Sequence, residues 1–186
     1  PTIRIRFGSV AHIAFLHTAA AHVPTFDTLV DAAAPGTRVE HFVRPDLLAA
    51  ARSVGHDAPH LAERIHDAMR HAASGGARVV VCTCSTIGAA AEATQTYGRF
   101  RALRIDRAMA DAAAAAGPEV LIVAALESTL RPTRALVEDS ARRLGVPVKP
   151  RSLIVPDAWH LFEQGDPDAY VNAVADCIRR ALPGPD

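Results

Sequence analysis

Hydrophobic positions along this chain switch repeatedly between the two-residue period of a strand and the three-to-four-residue spacing of a helix. Ala11 to Thr18, with Ile13, Ala14, Phe15 and Leu16, reads as the first core strand, after an extension over residues 1 to about 10. Pro24 suits the first turn of a helix with Phe26, Leu29, Val30 and Ala33 on its apolar face, and Pro35-Gly36 ends it. Val39 to Val43 alternates as a second strand, and Pro45-Asp46 opens a short helix. A longer helix is predicted from Pro59 to Ala73, with Leu61, Ile65, Ala68 and Met69 inward, stopped by Ser74-Gly75-Gly76. Val79 to Cys82 is then a strand buried on both faces. Strand alternating with helix implies parallel strands joined by right-handed crossovers.

The second half repeats the first. A shift of 108 positions lays Pro24-Thr25 on Pro132-Thr133, Asp31 on Asp139, Ala33 on Ala141 and Ile13 to Leu16 on Leu121 to Ala124. With slight drift, Pro45-Asp46 meets Pro156-Asp157 and Asp67-Ala68-Met69-Arg70 meets Asp176-Cys177-Ile178-Arg179, while Gly75 falls on Gly184. The expected architecture is therefore α/β, with two pseudo-symmetric Rossmann-like lobes of parallel sheet flanked by helices. The first lobe covers residues 1–98 and the second 99–186, with a ligand cleft between them. The strand Val79–Cys82 has no counterpart, because its image would follow Gly184 and the sequence stops at Asp186. Either the second lobe lacks its last strand, or the working protein is longer.

Composition narrows the classes. The chain has 186 residues, 49% of them hydrophobic, enough for a substantial core, and a formal net charge of zero gives no reason to expect nucleic acid. No apolar run reaches the roughly 20 residues of a membrane span. The opening Pro1-Thr2-Ile3-Arg4 lacks a secretory h-region, so a cytoplasmic protein with reduced thiols is expected. Three cysteines do not make a disulfide framework. Nine histidines raise the question of a metal, but Cys82-x-Cys84 and the spacing of His56, His60, His66 and His71 do not supply four ligands on one face. Nor is there a phosphate-binding glycine loop or a nucleophile elbow. Arg99, Arg101, Arg104 and Arg107 read as a solvated face.

The chemistry-bearing stretch is Cys82-Thr83-Cys84-Ser85-Thr86-Ile87-Gly88, between the valine strand and the helix-favouring Ala89-Ala90-Ala91-Glu92-Ala93. A thiol there lies among backbone N–H groups and hydroxyls, where an anion is favoured. This stretch resembles the first cysteine motif of the aspartate/glutamate racemase superfamily, which includes hydantoin racemases, maleate isomerases and arylmalonate decarboxylases. Arg104 to Ala110, followed by Val120 to Thr129 and Pro132-Thr133, is similar to the second-lobe opening of that group. The resemblance implies a cofactor-independent racemase or isomerase, usually a homodimer, acting beside the carboxylate of a small acid or amino-acid derivative. No metal, pyridoxal phosphate or nicotinamide is implied. Cys82 matches the family's first-lobe acid/base cysteine and Thr83 the neighbouring carboxylate-binding residue. The second-lobe cysteine has no match, which favours a one-cysteine decarboxylase of malonate type or a non-catalytic small-acid binder as alternatives.

Thr18, Ser85, Ser128 and Thr129 end or follow strands on the same predicted edge and are the further substrate-binding candidates. Each has an ordinary reading. Cys82 can be a small buried hydrophobe, with Cys84 the reactive thiol instead. Ser85, Thr86, Ser128 and Thr129 can cap helices. Cys177 shares a helix face with Val174, Ile178 and Ala181 and reads as core.

Overall fold

The computed structural model describes residues 11–182, so the expected N-terminal extension and Gly184 lie outside the described residues. Strands β1 (His12–His17), β2 (Arg38–Val43), β3 (Val79–Cys82) and β4 (Arg101–Arg104) form one sheet, ordered β2-β1-β3-β4 and parallel throughout. Helices α1 (His22–Ala33), α2 (Pro45–Val54), α3 (Pro59–Ala73) and α4 (Gly88–Glu92) make its connections. Alternate strand residues point to opposite faces. Ala14 and Leu16 of β1, with Val80 and Cys82 of β3, join Leu61, Ile65, Ala68 and Met69 of α3 in the main core. On the opposite face, the rings of Phe15 and His17 pack at a tilt against Phe26 of α1. That covering is thinner: α1 has no fully buried residue, and Leu29, expected inward, is 54% exposed.

The second unit comprises α5 (Arg107–Ala116), β5 (Glu119–Ala124), α6 (Glu127–Leu144), β6 (Lys149–Ile154), α7 (Ala158–Glu163) and α8 (Pro167–Ala181). Its sheet is the single parallel pair β5-β6 among the described residues. Element order from β5 to α8 repeats that from β1 to α3, and α3 and α8 correspond end to end at an offset of 108 positions. No counterpart of β3 follows α8 among the described residues. Cys177 is buried against Val155 and Ala158, a core residue as expected.

The sequence reading needs correction at two places. Arg101–Arg104, assigned to the second lobe, is the fourth strand of the first sheet. The arginines around it are also not uniformly a solvated face. Arg104 is 5% exposed and binds Asp106 with two hydrogen bonds, Nε to Oδ1 at 2.6 Å and Nη2 to Oδ2 at 3.0 Å. Arg107 donates to Glu92 of α4 through Nε at 3.0 Å and to Asp139 of α6 through Nη1 at 2.7 Å, tying the two units together. Among the described residues, no helix is long and apolar enough to cross a membrane.

Candidate functional site

In parallel sheets the carboxyl ends of all strands share one edge, and ligands gather in the crevice beyond it. Here the loops after β1, β3 and β5 converge with α7 on a cavity of about 180 Å³. From the first unit come Thr18, Thr83, Cys84, Ser85 and Thr86, with His22 of α1 and Leu48 of α2; from the second come Leu126, Thr129 and Trp159. A water's share of liquid volume is about 30 Å³, so the space suits roughly six waters or one small acid. Trp159 also borders two adjoining cavities, and Phe162, one turn further along α7, stacks on His22 at 5.1 Å and closes the crevice from the second unit.

The thiols divide in a way the sequence did not disclose. Cys82, expected as the acid/base, is 0% exposed inside the main core, and its sulfur approaches the Cys84 carbonyl at 3.6 Å. Burial pushes this thiol far above its ordinary range, and the neighbouring Cys84 adds to the shift. The reason lies in strand parity, since Cys82 shares the face of Val80, Leu16 and Ala14 that is packed by α3. Once the strand ends, the chain turns and presents Cys84, half-buried, to the cavity.

Of the other predicted residues, Thr18, Thr83, Ser85 and Thr129 all line this cavity, whereas Ser128 faces a separate one beside Arg52. The capping alternatives fail for the loop and for α6. Ile87 and Leu126 occupy the N-cap positions of α4 and α6, and neither helix has a side-chain cap. Thr86 and Thr129 instead meet hydroxyl to hydroxyl at 3.3 Å across the two units.

Helix α4 has five residues, too short for an appreciable dipole at the thiol loop. What fixes the loop is Arg104. Its Nη2 donates to the Ser85 carbonyl at 3.4 Å, and its guanidinium lies so close to Gly88 that a Cβ there would come within 2.9 Å of Cζ. Burial alone would raise the Asp106 carboxyl, but the Arg104 hydrogen bonds and charge outweigh it and hold Asp106 below its ordinary value. The pair is therefore ionised on both sides.

Four groups in or behind the cavity wall carried no sequence signal. His17, 0% exposed, lies with Nδ1 2.8 Å from Thr83 Oγ1 and Nε2 2.8 Å from His41 Nδ1. His41 Nε2 in turn reaches Asp27 Oδ1 at 2.9 Å. Burial, then the charges of His41 and His22, depress His17 to about 4 against a partial upward pull from Asp27, so it is neutral near pH 7. Trp159 Nε1 is buried with no hydrogen-bond partner among the described residues. Among those residues no three histidine, cysteine or acidic side chains gather as a metal site.

With this geometry in view, the fold can be set beside known proteins. It resembles aspartate racemase. The Picrophilus torridus aspartate racemase superposes with a TM-score of 0.59 at 10% sequence identity, covering 92% of this chain and 75% of that one. No protein-family model and no curated protein sequence matches the chain. Likeness at this identity is one of fold.

Proposed function

We propose that the protein is a cofactor-independent racemase or isomerase that moves a proton at the carbon beside a small acid's carboxylate, with Cys84 as the thiol acid/base. The observation that carries this reading is a single half-buried thiol in a small, hydroxyl-lined cavity at the strand edge between two units. Removing an α-proton builds negative charge on the carboxylate oxygens, so the cavity must present O–H and N–H donors to them. Ser85, Thr86 and Thr129 are assigned that role, with Thr18 and Thr83 beside them. The fold likeness to an aspartate racemase supports a small amino acid or a related acid as the substrate class. Cys82, the residue matching the family motif, is assigned a packing role in this chain.

A second reading has its own support, because Cys84 is the only cysteine lining this cavity among the described residues. One thiol suffices to protonate an enediolate after a malonate-type acid loses carbon dioxide. One experiment separates the two. The protein is incubated in D₂O with a panel of single-enantiomer amino acids, hydroxy acids and arylmalonates. Deuterium at the α-carbon without gas release marks the isomerase, and gas release marks the decarboxylase. Turnover should vanish in Cys84→Ser and persist in Cys82→Ala. Turnover surviving in Cys84→Ser would remove the assigned thiol from the mechanism.

A further inference from the structure

Resting on the reading of the cavity as a proton-transfer site, we propose that Thr83, His17, His41 and Asp27 form a second acid/base, with Thr83 as its contact point and His41 as the place where the proton is stored. The contacts at 2.8, 2.8 and 2.9 Å leave two self-consistent proton arrangements. In the first, the Thr83 hydroxyl donates to His17 Nδ1, His17 Nε2–H donates to His41 Nδ1, and His41 Nε2–H donates to the Asp27 carboxylate; both imidazoles are neutral. In the second, His41 carries both ring protons and a positive charge beside Asp27. His17 then accepts at Nε2 and donates from Nδ1 to the Thr83 oxygen, which frees the Thr83 proton. The Leu16 carbonyl, 3.4 Å away, then receives it.

The two arrangements differ by one proton, and passage between them balances. Going from first to second, a substrate C–H bond breaks and its proton goes to Thr83 oxygen, which passes its own proton to His17 Nδ1. His17 Nε2–H crosses to His41 Nδ1, and the electron pair stays on the substrate as the enediolate. The reverse passage forms a C–H bond and returns His41 to neutrality. No oxidant or second reactant is required. His17 remains neutral in both arrangements and changes only its tautomer.

Burial fits these roles. His17 is fully enclosed, the His41 side chain is 13% exposed, and Asp27 at the outer end is 53% exposed. The titratable groups facing the chain are His22 and Asp27 from α1 and His41 from β2, while β3 presents only the uncharged Thr83. The cavity therefore has, among the described residues, a second proton donor and acceptor beside Cys84.

The test is ring-nitrogen NMR of the ¹⁵N-histidine-labelled protein across pH 5 to 8.5, with resonances assigned through His17→Gln and His41→Gln. The expected result is that, as the hydrogen-bonded chain takes up a proton on acidification, His17 stays neutral and flips from the Nε2–H to the Nδ1–H tautomer. In Asp27→Asn, an exposed position, the midpoint of that flip should move to lower pH. A His17 tautomer that does not change, or a His17 that itself becomes cationic in this range, overturns the proposal. If no substrate exchanges its α-proton, the proposed function fails while the tautomer result still decides the hydrogen-bond chain. If exchange is found, His41→Gln should lower kcat at least tenfold and leave KM within about twofold. An unchanged kcat overturns the catalytic role.

Discussion

Replacing Arg104 by methionine removes the clamp on the thiol loop while keeping most of the apolar volume. The Arg104 and Asp106 side chains are 3% and 7% exposed, so the substitution strands a carboxylate that water cannot reach. Breaking one partner of a buried pair costs about 3–5 kcal/mol, against a total stability on the order of 5–15 kcal/mol for a domain. Urea unfolding at pH 7 should show a loss of that size. Arg104→Met with Asp106→Asn should recover part of it, since the stranded charge is then gone. In the intact protein Asp106 is held below its ordinary value, so its contribution is present above that value and is lost as pH falls through the folded one. In Arg104→Met burial is opposed only by the Ser85 and backbone hydrogen bonds, so Asp106 moves up and the gap between the two proteins should narrow on acidification. A loss under about 1 kcal/mol, or a double variant no better than the single, would refute the clamp.

Other consequences are open to simpler measurements. Gly88→Ala forces a Cβ to within 2.9 Å of a guanidinium that cannot easily move; it should cost about 1–3 kcal/mol, and the penalty should largely disappear in the Arg104→Met background. Iodoacetamide should modify Cys84 in the native protein and reach Cys82 and Cys177 only in denaturant, which peptide mapping would show directly. Cys82→Ala should fold with a loss of about 1–2 kcal/mol by thermal or urea melt. His17 titrates near 4 when folded and near 6.5 when unfolded, so acidification between those values favours the unfolded chain by up to about 3 kcal/mol. A stability profile for His17→Gln that keeps the same slope in that window would contradict this.

Where apolar spacing alone decides an element, the sequence was sufficient. Helix α3 begins and ends where the pattern placed it, with Leu61, Ile65, Ala68 and Met69 buried, and β3 is the predicted valine strand. Strands β4 and β6 escaped notice because Arg-Ala-Leu-Arg and Lys-Pro-Arg-Ser-Leu-Ile carry charges where a buried strand shows hydrocarbon. For β4 the contradiction is resolved by an ion pair between residues two apart, which leaves no periodic trace. The choice between Cys82 and Cys84 was hidden for a different reason. A run of three valines shows both faces buried and so conceals which face looks towards the cavity. The histidine chain depends on strand register: Phe15 pairs with His41 and His17 with Val43, so His17 and His41 approach diagonally from positions 24 residues apart.

Among the described residues the two walls of the cavity are unlike, with a thiol, hydroxyls and a histidine-backed threonine on one side and Thr129, Leu126 and Trp159 on the other. Two equivalent thiols facing each other would handle both mirror-image substrates alike. Among the described residues, the groups proposed to carry the proton belong to the first unit, while the second supplies a hydroxyl, apolar surface and an indole N–H with no partner. A proton arriving from Cys84 and one arriving through Thr83 leave groups of different acidity held by different partners. In a two-base isomerisation one of these groups accepts the proton that the other replaces, and their roles exchange in reverse. Cys84→Ser and His41→Gln should therefore each lower kcat/KM by the same factor in both directions, and a loss confined to one direction would refute the pairing.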